Sequence, residues 1–120
     1  MTVRKDAGAA LVALIHRVEE RFRVLAGERT VWTVGNMRLE PGQVSIIPDL
    51  AEMMLQLRDA DAEVLRRMDV ALRDLVDETN AAGPCSADME LVSRSAPHAM
   101  STAFKEALES AADEVAPGRA

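Results

Sequence analysis

One stretch of the 120-residue chain, residues 30–61, constrains the fold more than any other. Its first part, TVWTV, is rich in the β-branched and aromatic residues that favour a half-buried strand. Proline and glycine at positions 41 and 42 should end this strand, since proline donates no ladder hydrogen bond and glycine tolerates unusual φ. From residue 51 to Arg58 apolar and polar residues alternate, which predicts a second strand with Arg58 on its exposed side. A shift of one residue would bury Arg58, so the register should be firm.

Apolar residues at intervals of three and four predict one helix on each side of this hairpin. The first should begin at Asp6, which can cap it, and end at Leu25, with Gly27 as a left-handed stop. The second should run from Asp61 to about Asn80, with Asp59 or Asp61 as its cap, and the sequence NAAGP then interrupts the helical pattern.

The last third of the chain predicts two further elements. Residues 89–94 alternate in polarity and indicate a third strand, residues 95–98 a loop, and Ser101 caps a third helix that should end before Pro117. The predicted order is α-β-β-α-β-α. This fits an α+β fold of the ferredoxin-like split βαβ type, an antiparallel sheet with two helices on one face. The first strand of that fold is missing, and the C-terminal helix is extra.

Composition narrows the choice of partners. A content of 48% hydrophobic and 28% charged residues is typical of one globular domain. The net charge of −6, with no basic stripe, argues against nucleic acid and anionic membrane surfaces as partners. No apolar run approaches the length of a membrane span, and no export signal is evident at the N-terminus. A single cysteine, Cys85, favours a cytoplasmic location.

No catalytic or metal-binding constellation is evident. A hydrolytic metal site needs several histidine and carboxylate ligands that converge around a bound water. The two histidines, His16 and His98, have no partner at ligand spacing, and His16 fits best as a half-buried helix residue. Cys85 follows Gly83 and Pro84 in a turn, where nothing would lower its pKa. We therefore expect this chain alone to be neither an enzyme nor a metal protein.

Several short sequence motifs, taken in order, resemble those of a known family: TVWTVG, EPGQVSIIP, LQLRDAD and ALESAADEVAPGR. They are similar to the lid, or dimerisation, domain of zinc-dependent amidohydrolases of the carboxypeptidase G and aminoacylase superfamily. The branch that matches best contains N-carbamoyl-L-amino-acid hydrolases, β-ureidopropionases and allantoate amidohydrolases. The resemblance covers essentially the whole chain. The sequence motifs that carry the metal ligands in that family fall outside this chain.

The resemblance implies roles for two residues. In that branch, an asparagine before Ile-Pro and an arginine at the end of the next strand reach the substrate's carboxylate and amide. The matching positions are Ser45 and Arg58. Arg58 matches, whereas Ser45 departs from the family and offers one hydroxyl in place of an amide. For both positions an ordinary surface residue is the competing interpretation.

The resemblance also implies an organisation. Residues 1–100 would be a partial lid and dimerisation domain, and residues 101–120 a helix at the edge of an absent catalytic domain. The expected partners are a second copy of the chain, that catalytic domain and a small substrate bearing a carboxylate. Zinc or another divalent metal is expected only in the full-length parent. Two alternatives stay open: a free-standing ferredoxin-like module that binds a small ligand, and a small α+β enzyme with an unfamiliar site.

Overall fold

The fold consists of one β-hairpin and three helices, as seen in a computed structural model that describes residues 4–95 and 101–116. In chain order the elements are α1 (Ala7–Leu25), β1 (Val31–Glu40), β2 (Leu50–Arg58), α2 (Ala62–Ala82) and α3 (Thr102–Val115). The two strands form an antiparallel two-stranded sheet, and α1 and α2 cover one of its faces. The predicted α+β class, with an antiparallel sheet, helices on one face and an extra C-terminal helix, is confirmed.

The register of the hairpin decides which side chains face the helices. Trp32 lies opposite Leu57, and Val34 lies opposite Leu55. A bulge at Gly35 then shifts the phase of β1 by one residue, so Met37 rather than Asn36 continues the side that Val34 occupies. The opposite side, here called the outer face, carries the rungs Val31–Arg58, Thr33–Gln56, Asn36–Met54 and Arg38–Glu52. Exposure alternates along the whole of β2, as the sequence predicts.

The hydrophobic core lies between the helices and the sheet. Phe22 of α1 and Met68 of α2 are completely buried, with Val18 and Leu75 beside them. Trp32 meets Phe22 edge to face, with ring centroids 5.8 Å apart, and its indole N–H donates to Glu19 Oε1 at 2.8 Å. Each fully buried side chain of this size contributes roughly 1.5–3 kcal/mol by leaving water. This packing holds β1 against α1.

The helix ends follow the predicted caps with one exception. Asp6 accepts the amide of Ala9 at 3.0 Å, and Asp61 accepts the amide of Glu63 at 2.8 Å. Gly27, however, is not a left-handed stop, because the cap residue Ala26 is already extended, with φ −64° and ψ 139°. The amide of Gly27 donates instead to Thr30 Oγ1 at 2.7 Å. A side-chain acceptor three residues ahead thus replaces the expected glycine turn.

The predicted third strand is wrong, because residues 85–95 form no strand. In the expected topology this segment would pair with a strand ahead of α1, and residues 4–6 supply none. The segment instead returns along α2. Asn80 bonds both the amide and the carbonyl of Ala87, at 2.6 and 2.7 Å, and Arg94 lies 3.7 Å from Asp69. A segment with alternating polarity still needs a strand edge to join.

The third helix differs from the other two, since none of its residues is buried. Ser101 caps it by accepting the amide of Phe104 at 3.2 Å, as the sequence predicts. Its apolar side chains, Phe104 and Leu108 among them, remain about half exposed. Residues 96–98 of the predicted loop, including His98, lie outside the described residues. Within the described ranges, no helix has the length and hydropathy that crossing a membrane would require.

Candidate functional site

Arg58 is the last residue of β2 and lies on the outer face, opposite Val31. It is exposed, as predicted, and the core row Met53, Leu55 and Leu57 points the other way. Over residues 4–95 and 101–116, no carboxylate lies within ion-pair distance of its guanidinium. Its neighbours on the outer face, Gln56 and Thr33, are polar and uncharged. Arg58 is thus a cation with its hydrogen-bond donors available to a ligand.

Arg38 occupies the same outer face towards the other end of the hairpin, in a different electrostatic setting. Its guanidinium lies 2.9 Å from Glu40 and 3.0 Å from Glu52, the residue directly across the sheet. Two carboxylates therefore occupy its donors. The sequence predicts an exposed strand position for Arg58, but it does not show this difference in pairing between the two arginines.

Ser45 lies in the connection between the strands, in an exposed turn where the amide of Ile46 donates to the carbonyl of Gln43 at 3.2 Å. This connection follows β1 and precedes Leu50, so it is at the opposite end of the hairpin from Arg58. The nine residues of β2 separate the two ends by about 27 Å, at about 3.4 Å per residue. Within one chain, Ser45 and Arg58 do not share a site for a small molecule.

A hydrogen-bond network, which we call the clamp, closes the hairpin beside Arg58. The hydroxyl of Thr30 donates to Asp59 Oδ2, while the amide of Asp61 donates to Asp59 Oδ1 at 2.7 Å. These two bonds, that of Thr30 above all, hold the pKa of the Asp59 carboxyl below its usual range. The sequence indicates Asp59 only as one of two possible caps. Its bond to Thr30 joins residues 29 apart, and no local periodicity reports such a contact.

The described residues offer no metal centre. Nowhere in the described ranges do three or more histidine, cysteine or acidic side chains come together. His16 pairs with Glu20 one turn along α1, at 3.4 Å, and both side chains are exposed. Cys85 borders an open groove of about 340 Å³ between the start of α1 and the end of α2. A second open groove, of about 560 Å³, lies beside the clamp, but Arg58 does not line it.

The chain is similar to solved amidase structures over almost its whole length. It aligns with a hydantoinase/carbamoylase family amidase from Burkholderia phymatum at 42% identity and a TM-score of 0.81, covering 99% of this chain and 30% of that one. A second family member, from Burkholderia vietnamiensis, is 29% identical with a TM-score of 0.79, covering 94% of this chain and 27% of that one. The strand, turn and helix order described above is therefore that of one segment of these proteins.

A curated relative points to the same group. The N-carbamoyl-L-amino acid amidohydrolase of Geobacillus stearothermophilus is 41% identical over 64 residues, which is 53% of this chain and 15% of the relative. No protein-family profile matches the chain. The chain thus spans less than a third of the length of each of these proteins. The family resemblance inferred from the sequence is confirmed.

Proposed function

We propose that this chain is a segment of a hydantoinase/carbamoylase family amidase and serves that enzyme as a non-catalytic lid that binds substrate and joins two copies. The parent reaction would be hydrolysis of a C–N bond in an N-carbamoyl amino acid or a similar ureido or amide substrate. The observation that carries the proposal is Arg58, an exposed arginine on the outer face for which the described residues supply no carboxylate.

The chemistry of Arg58 suits a carboxylate ligand. A guanidinium presents two parallel N–H donors to the two oxygens of a carboxylate, which fixes orientation as well as position. β2 is held on its core side by Leu55 and Leu57, so the backbone at Arg58 belongs to a packed element. In this function Arg58 holds the carboxylate end of the substrate and leaves the scissile bond to the catalytic domain.

The described residues do not offer a binding site for the metal that the family resemblance implies. Zinc or another divalent cation needs three or four converging ligands, and the described residues contain no group of three. In the proposed function the described residues bind and orient the substrate. Metal ligands would come from other residues of the parent enzyme.

A second copy of the chain would bring Ser45 of one copy near Arg58 of the other. In the part of the chain that the structure describes, the edge of β1 away from β2 pairs with no strand, and an exposed strand edge favours pairing with another strand. Two β1 strands paired antiparallel about a twofold axis would place the 41–49 connection of one copy near Arg58 of the other. Met37 and Leu39 are exposed on the helix side of β1, where they would adjoin the side chains of a β1 strand paired at this edge.

The substrate role of Arg58 is tested by Arg58→Ala in the complete amidase that contains this segment. Loss of one partner from a desolvated charge pair costs about 2–5 kcal/mol, so KM for carboxylate-bearing substrates should rise about 30-fold to several-thousand-fold. The melting temperature should change little, because the side chain lies outside the core. Both quantities come from steady-state kinetics and thermal unfolding of the same preparation.

Arg38→Ala is the matched control for that experiment. It removes the same side chain from the same face of the hairpin, but its partners are Glu40 and Glu52. We expect KM of this variant to stay within about twofold of the wild type, since exposed ion pairs contribute little. An unchanged KM for a well-folded Arg58→Ala enzyme would show that Arg58 is an ordinary surface arginine and would refute its proposed role.

The dimer is tested by light scattering on the 120-residue chain at high micromolar concentration. We expect the mass of two copies, and Met37→Lys should shift it to one by placing a charge on the pairing edge. Met54→Lys is the control, because Met54 is 56% exposed against 61% for Met37 but lies on β2. A monomeric wild-type chain, or equal effects of the two variants, would contradict pairing through β1.

A further inference from the structure

The clamp lies immediately beyond the last rung of the sheet. Thr30 precedes Val31, Asp59 follows Arg58, and Val31 and Arg58 face each other across the hairpin. The Thr30–Asp59 bond therefore joins the two strands one residue past Arg58. Without it, the Val31–Arg58 rung would be the free end of a two-stranded sheet, where strands fray.

Both partners of this bond are themselves held in place. Thr30 Oγ1 accepts the amide of Gly27 at 2.7 Å, which fixes it to the turn that follows α1. Asp59 Oδ1 accepts the amide of Asp61, and Asp61 caps α2. Thr30 and Asp59 are half-buried, whereas Arg58 is exposed. The clamp thus connects the ends of both packed helices to the backbone that carries Arg58.

From this geometry we infer that Thr30 and Asp59 are positioning residues for Arg58, which fix the end of β2 so that its guanidinium meets a substrate carboxylate in one orientation. The inference rests on the carboxylate-binding role proposed above. Its physical basis is that a ligand group must be held within about 0.5 Å of its productive geometry, and a frayed strand end does not provide this. An ordered backbone also lowers the entropy lost on binding.

The ionisation of Asp59 supports this role. The Thr30 hydroxyl and the Asp61 amide lower the pKa of the Asp59 carboxyl, so at neutral pH it remains an acceptor for both donors. The charged groups that line the groove on this side of the hairpin are Glu28, Arg29, Asp59 and Asp61. Arg58 projects from the outer face. The Asp59 carboxylate is occupied by its bonds to Thr30 and Asp61, and it therefore leaves the Arg58 donors available.

The first test is Thr30→Val, which removes the hydroxyl and keeps the shape of the side chain. In the complete amidase we expect KM for carboxylate-bearing substrates to rise about 3- to 10-fold, less than the full loss of a charge-assisted hydrogen bond because the guanidinium itself remains, with kcat within about twofold. Thr30→Ser, which restores the hydroxyl, should return KM to the wild-type value. The control is Thr79→Val, which also removes a hydroxyl bond, to the carbonyl of Leu75 within α2.

A double-variant cycle shows whether the effect passes through Arg58. Once Arg58→Ala has removed the guanidinium, Thr30→Val should raise KM no further. An equal additional rise in that background would overturn the inference, because Thr30 would then act on another group. If Arg58→Ala alone leaves KM unchanged, the substrate role of Arg58 fails, and the second measurement below still decides the positioning role.

That second measurement needs no substrate. In the 120-residue chain we expect the NMR order parameter of the Arg58 backbone amide to fall from about 0.85 towards about 0.6 in Thr30→Val and to stay high in Thr79→Val. Asp59→Ala should have the same effect as Thr30→Val. An Arg58 amide that remains equally ordered in the Thr30 and Asp59 variants would overturn the positioning role, whatever the kinetics show.

Discussion

Arg38 and Arg58 are the same residue type on the same outer face of one hairpin, and they differ in what surrounds them. Arg38 lies between Glu40 and Glu52, whereas Arg58 lies opposite the uncharged Val31. A guanidinium with two carboxylates has few donors left for a ligand, and its charge is largely neutralised. Exposure therefore does not separate the two arginines, whereas the residue across the strand does.

The strongest way to sharpen this comparison is to keep the charge of each arginine and remove its planar fork. Arg58→Lys should raise KM for carboxylate substrates about 10-fold, because an ammonium bonds a carboxylate as a point charge rather than through two parallel donors. Arg38→Lys should leave KM unchanged. Kinetics of the two variants measure this directly, and an equal response of both would indicate a general effect of charge on the outer face.

A second approach makes the Arg58 end resemble the Arg38 end. Val31→Glu would place a carboxylate opposite Arg58, as Glu52 lies opposite Arg38. An exposed cross-strand pair contributes about 0.2–1 kcal/mol, so KM should rise about 1.4- to 5-fold through competition for the guanidinium.

Met54→Glu is the control for Val31→Glu. It adds the same charge to the outer face about 14 Å along β2 from Arg58, at about 3.4 Å per residue. If both variants raise KM equally, the cause is the field of the added charge and not pairing with Arg58. If only Val31→Glu raises it, direct competition is supported.

The smallest effect is expected for the stability contributed by the Arg38 pair. Glu52→Gln should lower the free energy of unfolding by no more than about 1 kcal/mol, and the loss should shrink as salt screens the pair. Denaturant unfolding at low and high salt measures it. A loss of several kcal/mol that is insensitive to salt would show that Glu52 has a structural role beyond this ion pair.

Much of the fold follows from local sequence patterns. The intervals of three and four predicted α1 and α2, and the alternation from residue 51 to Arg58 predicted β2 together with its exposed side. Asp6, Asp61 and Ser101 cap their helices as expected. These features depend on residues within about four positions of each other, which is the range over which helix and strand periodicity acts.

The predictions that failed concern neighbours that are distant in sequence. Residues 89–94 have the alternation of a strand but meet no strand edge, and Asn80 instead bonds the segment leading to them at Ala87. Gly27 has the composition of a helix stop, but Thr30 supplies the acceptor. The bulge at Gly35, which sets which side of β1 faces the helices, was also not predicted, although a glycine inside a strand often marks a bulge.

The candidate site also combines features that the sequence predicted with features that only the structure revealed. The sequence alone placed Arg58 at an exposed strand end and named Ser45 by resemblance, and it supplied the family. Only the tertiary structure decided that these two positions lie at opposite ends of the hairpin, that Arg38 is paired, and that Thr30 meets Asp59. The reason is physical: side-chain direction repeats with a short period along the chain, whereas strand register and loop contacts are fixed only when distant segments pack together.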